Sequence, residues 1–315
     1  MLAALDLGTN NCRLLIASPG RDGEMRIVDS FSRIVRLGEG VKRTGALSQA
    51  AMDRTVAALK ICAQHIDHCR VRHVRAIATE ACRQAANAQV LVERAAKEAG
   101  IALSIVTAAE EARLAAIGCA PLIGEDYDGA LVFDIGGGST ETIWLRRDGG
   151  KPVPVHFASV SLGVMSLAET NGEPDEAVRY AAMRQDMGSR FAQVRRDMDR
   201  KGAFDAARHH LLGTSGTVTT LAGVAMGLPR YVRSRVDASW HDCPAIVAVA
   251  ERLVGLSRPE RVRLGCIGEE RADLIVPGCA IYQAISGLWP CRALRVADRG
   301  LREGILRDLM AERHA

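Results

Sequence analysis

The chain has 315 residues, 48% hydrophobic, 25% charged and 4% aromatic, with 41 Lys and Arg against 37 Asp and Glu for a formal charge of +4. That balance describes a globular protein of about two domains, with too few rings for a base- or sugar-stacking platform and too little positive charge for a duplex nucleic-acid binder. No apolar run reaches the roughly 18 residues of a bilayer span, so no membrane is expected, and Met1-Leu2-Ala3-Ala4-Leu5 meets Asp6 without a basic leader.

In chain order, residues 2–7 read as an apolar strand, Gly8-Thr9-Asn10-Asn11 as a loop, 13–17 as a second strand, 19–23 as a turn and 24–29 as a third strand. Ser48 can cap a helix whose apolar face is Met52, Val56, Leu59, Ala63 and Ile66. A strand over 73–79, a helix over 88–99 ended by Gly100, a strand over 101–106 and a helix over 107–119 follow. The opening pattern then returns: an apolar strand ends at Asp134, Gly136-Gly137-Gly138-Ser139-Thr140 forms a loop, 142–145 a strand, 147–150 a turn and 152–157 a third strand. Aligning Asp6 on Asp134 puts Gly8 on Gly136 without a gap, which reads as duplication of one supersecondary unit. Beyond it come a long helix over 175–200, a buried strand over 208–212, a helix over 218–226 and a helical pattern over 268–288 that Pro277-Gly278 should break. A buried strand over 292–297 and a closing helix over 300–312 end the series. Alternating strands and helices imply an α/β fold.

The nine cysteines, from Cys12 to Cys291, include no C-x-x-C pair, so they read as reduced thiols filling cores in the cytoplasm. His65 with His68, and His209 with His210, read as surface or structural pairs. The chemistry gathers in the glycine loops instead. Each of the first two joins a strand to a strand, unlike a dinucleotide fingerprint or a Walker loop, both of which open a helix. Such a turn aims successive backbone N–H groups at one spot where an anion can sit, and an Asp at the strand end can hold Mg²⁺ beside it. Two hairpin turns would explain either loop alone; the pairing across a repeat favours a ligand. A third loop, Gly213-Thr214-Ser215-Gly216-Thr217, runs from an apolar strand into a helix, either as an anion site or as a simple cap.

The order Asp6-x-Gly8-Thr9, Asp134-x-Gly136-Gly137-Gly138-Ser139-Thr140-Glu141, Gly213-Thr214-Ser215-Gly216-Thr217 resembles the superfamily of actin, heat-shock chaperones and sugar kinases. Within it the chain is most similar to the exopolyphosphatase/guanosine pentaphosphate phosphohydrolase (Ppx/GppA) family. The residues behind that finer likeness are Asn10, Arg13 and Leu14, then Arg36-Leu37-Gly38-Glu39-Gly40, then Thr79, Arg83 and Asn87. Glu110-Glu111-Ala112-Arg113-Leu114, Arg271, Asp273, Pro277, Gly278 and Asp298-Arg299-Gly300-Leu301-Arg302-Glu303-Gly304 complete them, in collinear order over nearly the whole chain.

The resemblance implies two ribonuclease H-like (actin-like ATPase) domains around a central cleft, at 1–121 and 122–315, with a last helix of about 299–315 packing back on the first. It implies a phosphoanhydride hydrolase with Glu111 as general base, a role suited to aiming and deprotonating an in-line water. Asp134 and Glu141 would hold Mg²⁺ or orient that water, with Asp6 a further metal-side carboxylate and a monovalent cation such as K⁺ a second candidate ion. Thr9, Asn10, Gly136, Gly137, Gly138, Ser139 and Thr140 would bind the scissile phosphate, Arg83 would supply a fixed cation, and Gly213, Thr214 and Ser215 would add a further anion contact. Lys42 and Arg43 either guide an anionic chain or sit in a solvated turn. Glu80, three residues before Arg83, can pair with it and compete with an anion.

The family's longer relatives continue into a helical region resembling HD phosphohydrolases, which is absent from this sequence; the expected substrate is therefore short inorganic polyphosphate. The other candidates are the 5′-phosphohydrolase acting on guanosine pentaphosphate (pppGpp), a kinase of the same superfamily and a nucleotide-dependent scaffold of the actin type. A homodimer is the family expectation.

Overall fold

The computed structural model describes residues 1–20, 25–169 and 176–312. Part of the turn expected at 19–23, the start of the long helix at Asp175 and the end of the last helix lie outside the described residues. The chain forms two compact units, Met1–Gly118 with Gly300–Ala315, and Cys119–Arg299.

The first unit opens with strands β1 (Leu2–Leu7), β2 (Asn11–Pro19) and β3 (Met25–Ile34), joined as antiparallel neighbours. Helices α1 (Val41–Thr44) and α2 (Gln49–His68) lead to β4 (His73–Ala78); α3 (Glu80–Gln84) and α4 (Ala88–Ala99) lead to β5 (Leu103–Ile105), and α5 (Ala108–Cys119) follows. The strand order is β3-β2-β1-β4-β5, with β4 parallel to β1 and β5 parallel to β4. Parallel neighbours need a crossover, and α2 and α4 supply it. Ser48 caps α2 as its sequence position suggested, its hydroxyl accepting from the Ala51 N–H at 3.2 Å.

The second unit repeats this plan. It contains β6 (Gly129–Ile135), β7 (Thr140–Asp148), β8 (Lys151–Val160), α6 (Val164–Glu169), α7 (Glu176–Asp199), β9 (His209–Thr214), α8 (Ser215–Ala225), α9 (Arg233–Val236) and β10 (Trp240–Asp242). Helices α10 (Cys243–Val254), α11 (Arg258–Arg263), α12 (Gly268–Arg271) and α13 (Ile275–Leu288) precede β11 (Ala293–Ala297). Its sheet runs β10-β11-β9-β6-β7-β8. Without the short edge strand β10, the order matches the first sheet strand for strand. The likeness reaches the backbone irregularities: the β2–β3 ladder slips between Ile16 and Ala17, and the β7–β8 ladder between Trp144 and Leu145, each ten residues past the strand-end Asp. Duplication is thus written in the bulges as well as in the loops.

Side-chain alternation assigns the faces. Ala3, Leu5 and Leu7 of β1 bury against Met52, Val56 and Leu59 of α2 and Leu91 of α4. Leu2 and Ala4 face the other way, toward Leu114 of α5 and toward Leu301, Ile305 and Leu306 of the last helix, α14 (Leu301–Glu312). Asp6 falls on that second face by period. In the second sheet Leu131, Phe133 and Ile135 enter the main core, which leaves Asp134 on the opposite face, as Asp6 is in the first. Helix α14 meets α5 at backbone contact: a Cβ on Gly304 would lie 1.8 Å from the Leu114 carbonyl oxygen, and one on Gly118 would lie 2.0 Å from that of Gly300.

Four elements differ from the sequence reading. Strands β3 and β8 run past their expected ends: β3 is a largely exposed edge strand whose polar residues mask its length, and β8 is a half-buried edge strand without a clear alternation of buried and exposed residues. The pattern over 268–288 breaks before Leu274 rather than at Pro277-Gly278. Pro277 is the third residue of α13, within the first turn where no intrahelical N–H is needed. Gly278 is there for space, since its Cβ would meet the Thr217 side chain at 2.5 Å. Helix α8 begins at Ser215, three residues earlier than expected.

Candidate active site

The first two glycine loops are built alike. The Gly8 N–H donates to the Asn11 carbonyl at 2.9 Å, and the Gly136 N–H donates to the Ser139 carbonyl at 2.9 Å. Each loop is then tied down through its own carbonyls. Thr9 O accepts from the Gly38 N–H at 2.9 Å, and Asn10 O from the N–H groups of Val35 and Arg36 at 2.9 and 3.0 Å. In the second unit Gly136 O accepts from Val164 at 3.0 Å and Gly137 O from Met165 at 2.9 Å. A trans peptide points its N–H opposite to its C=O. Anchoring these carbonyls therefore aims the N–H groups of Asn10, Gly137 and Gly138 the other way, as an anion cradle requires. Glycines make the anchoring possible. A Cβ on Gly38 would lie 2.2 Å from Thr9 Cγ2, and one on Gly163 would lie 2.3 Å from the Gly136 carbonyl oxygen.

The hydroxyls divide by role. Ser139 and Thr9 are nearly buried within their loops. Thr140 donates to the Leu162 carbonyl at 2.8 Å and is fully buried, so its hydroxyl braces the second loop from inside. Thr214 Oγ1 donates to the Arg299 carbonyl at 2.9 Å. Ser215 opens α8 with φ of 89°, a left-handed conformation uncommon for a residue with a side chain.

The carboxylates follow the strand register. Asp134 lies opposite Glu141 across β6–β7 and opposite Gly213's neighbour Thr214 across β6–β9. Paired positions share a face, so Asp134 and Glu141 stand side by side. Glu141 Oε1 accepts from Ser159 Oγ at 2.8 Å. In the first unit Asp6 lies opposite Arg13. Burial pushes the Asp6 carboxyl above its ordinary value, while the charges of Arg13 and Arg302 pull it down.

Magnesium asks for hard oxygen donors and keeps several waters beside one or two carboxylates. Among the described residues no group of three His, Cys, Asp or Glu side chains is placed to hold a metal ion. The residues present do fit the sparser demand. Asp6 Oδ1 and Asn10 Oδ1 are shut off from solvent with no hydrogen-bond partner among the described residues, a state that a buried oxygen keeps only at a cost. The Asp134–Glu141 pair offers a second set of oxygen donors.

Glu110 and Glu111 sit side by side in the first turn of α5, where Thr107 Oγ1 accepts from the Glu110 N–H at 3.2 Å. Their side chains part company. Glu110 pairs with Arg75 at 2.7 Å and Arg113 at 2.8 Å. Glu111 Oε2 accepts from Arg83 Nη1 at 2.7 Å. The same Nη1 reaches the Val106 carbonyl at 3.1 Å, while Arg83 Nε and Nη2 close on Glu80 Oε2 at 2.9 and 2.6 Å. Four of the five guanidinium N–H groups are thereby engaged. Burial alone would lower the Arg83 pKa, but Glu111 and Glu80 more than offset it and hold the guanidinium above its ordinary value. Arg83, expected as a cation for phosphate, is here paired with both Glu111 and Glu80.

The sequence model of the Ppx/GppA phosphatase family matches residues 16–313. The chain belongs to that family. Exopolyphosphatase 2 of Mycobacterium tuberculosis is 31% identical over 322 residues, covering 98% of each chain. Among solved structures, the Aquifex aeolicus family member is 28% identical with a TM-score of 0.82, covering 100% of this chain and 98% of that one. An exopolyphosphatase from Cytophaga hutchinsonii is 26% identical with a TM-score of 0.88, covering 99% and 98%. The two units thus have the actin-like ATPase fold of Ppx/GppA proteins, and the chain is a phosphatase.

Two features of this Ppx/GppA site received no role from sequence. Gly163 follows the third strand of the second repeat much as Gly38 follows that of the first, and both press against a glycine loop. The signal was available in the repeat but lay outside the loops themselves. Arg271 donates to Thr220 Oγ1 at 3.0 Å, and its guanidinium carbon lies 4.0 Å from where a Cβ on Gly216 would be. That brings a cation to the first turn of α8, beside the third glycine loop.

Proposed function

We propose that this phosphatase is an exopolyphosphatase, releasing orthophosphate from the ends of inorganic polyphosphate, with short chains preferred and Mg²⁺ required. The observation that carries the reading is the Glu111 carboxylate, held by Arg83 in the first turn of α5 while its neighbour Glu110 is committed to structural pairs. A carboxylate fixed in this way suits removal of a proton from water as that water attacks the terminal phosphorus. The bond from phosphorus to the bridging oxygen breaks, and the shortened chain leaves with that oxygen. In the second unit the N–H groups of Gly137 and Gly138, with Ser139 and the third loop, would hold phosphate oxygens, with Asp134 and Glu141 as metal-side carboxylates; in the first unit the Asn10 N–H and Asp6 would offer the same two kinds of group. When bound, Mg²⁺ would neutralise charge on the phosphate oxygens. The nine free cysteines, eight of them buried, fit a reducing compartment such as the cytoplasm.

The test is phosphate release by wild-type and Glu111→Gln protein, with and without Mg²⁺, on short polyphosphate, long polyphosphate and pppGpp. Expected are turnover of polyphosphate, greater per chain end on short chains, its loss on chelation, and a fall of about 100- to 10,000-fold in Glu111→Gln. Turnover of pppGpp alone would overturn the substrate, and equal turnover per end on long chains would overturn the length preference.

A further inference from the structure

Once the site residues are assigned, a group of cations remains beside the first glycine loop. Arg33, Arg36, Lys42 and Arg43 lie within eleven residues of sequence that contain one carboxylate, Glu39. Glu39 is already paired with Arg54 of α2 at 2.9 Å. All four cations are exposed. Among the described residues, Arg36, Lys42 and Arg43 form no ion pair, and Arg33 lies over the Phe31 ring at 5.4 Å. In a chain whose whole net charge is +4, this is a strong local concentration of unneutralised charge.

The segment that carries them has a specified shape. Leu37 and Val41 are buried pegs at 0% and 3% exposure. Val35 and Arg36 donate to Asn10 O, and Gly38 donates to Thr9 O. From behind, Arg54 Nε donates to the Val35 carbonyl at 2.9 Å. Arg36 is held at φ of 48° and Gly40 at 76°. The left-handed region is costly for a residue with a Cβ, and such strain persists where the surroundings over-determine it. The backbone thus packs on the carbonyl side of Thr9 and Asn10, at the same end of the sheet as that loop because β3 runs in the direction of β1, and leaves Arg36, Lys42 and Arg43 in solvent there.

We propose that Arg36, Lys42 and Arg43 form a subsite for the phosphates that follow the scissile one, and that this segment sets the preference for chain length. The inference rests on the exopolyphosphatase reading above. Residues 33–45 contain no aromatic ring and no Asn or Gln side chain, and the cations there are suited to phosphate oxygens. The two guanidinium forks and the Lys42 point charge match the phosphate oxygens of a repeating anion.

The test compares Lys42→Ala/Arg43→Ala and Lys42→Glu with Lys60→Ala, which removes a half-exposed charge elsewhere on α2. Initial rates are measured with Mg²⁺ on tripolyphosphate, medium-length polyphosphate and pppGpp, at low and high salt. The subsite predicts a KM for medium-length polyphosphate raised about tenfold in the double variant and further in Lys42→Glu, with a flatter salt dependence, and less than about threefold change on pppGpp. The subsite is overturned if either variant retains the wild-type melting temperature together with the wild-type KM and salt dependence on polyphosphate, or if Lys60→Ala raises KM equally. Wild-type protein that turns over pppGpp but no polyphosphate overturns the exopolyphosphatase reading itself, and the subsite with it; that outcome is read from the wild-type arm alone.

Discussion

Arg83 and Asp6 show how a single residue's environment redirects its role. From sequence, Arg83 is a cation three residues after a carboxylate, and both pairing and phosphate binding are open to it. The structure commits it to Glu80 and Glu111 together. A direct phosphate ligand and a positioning residue leave different kinetic traces. Arg83→Gln is expected to lower kcat about 10- to 100-fold with little change in KM, and to destabilise the protein by about 1–3 kcal/mol because Glu80, 6% exposed, loses its cationic partner and keeps the Gln84 hydrogen bond. A raised KM at unchanged kcat would instead make Arg83 a substrate ligand. Asp6 stands at the other extreme, with one oxygen shut off from solvent and unpaired. Its folded-state pKa is raised, so the carboxylate form costs stability near neutral pH. Asp6→Asn should raise the melting temperature of the metal-free protein by a few degrees, of order 1 kcal/mol, while cutting Mg²⁺-dependent turnover about 100-fold. Calorimetry and phosphate release on the same samples check the two halves, and a lower melting temperature would contradict the first.

At the scale of elements, the glycine loops are held from behind by the chain that leaves the third strand of each repeat. In the second unit the contact is closest at Gly163, where a Cβ would also lie 2.6 Å from the Gly137 carbonyl oxygen. Backbone cannot swing aside as a flexible side chain can, so Gly163→Ala must displace the loop. The expected result is a fall in turnover of about 100-fold, since small misplacements of binding groups are costly, with far-UV circular dichroism unchanged. The periodicity of α2 and α4 was legible in sequence because each has one buried face, and both helices form as read. The ends of β3 and β8 were not legible, because β3 is largely exposed and β8 half-buried along its length, so neither edge strand carries an alternation strong enough to mark them. The break before α13 was misplaced for a different reason: proline position within a helix turn depends on where the helix starts, and tertiary contacts decide that.

For the whole molecule, the return of the last helix to the first unit is secured by α5–α14 backbone contact and by a four-residue charge network. Arg75 and Arg113 are both shared between Glu110 and Asp308. Hydrogen bonds from Arg113, and secondarily Arg75, hold the Glu110 and Asp308 carboxyls below their ordinary values. Carboxyls lowered in this way contribute stability that is present above the ordinary carboxylate range and lost as pH falls through their folded-state pKa values. Urea unfolding between pH 7 and 3 should therefore show a loss below about pH 4, which Asp308→Asn reduces by about 1 kcal/mol, a modest figure because the group is partly exposed; an unchanged profile in the variant would remove the network from the account. The sequence by itself determined the α/β class, the duplication and the family, because apolar periodicity and the glycine loops are local properties repeated along one chain. It also offered Asp6, Glu111, Asp134 and Glu141 as candidate carboxylates. Only the tertiary structure decided that Glu110 and Glu111 serve different partners, that Arg83 braces one of them, and that Gly38 and Gly163 support the loops. Those outcomes depend on which side chains distant segments bring within about 3 Å, the range in which hydrogen bonds and charge pairs act, and spacing along the sequence does not specify them.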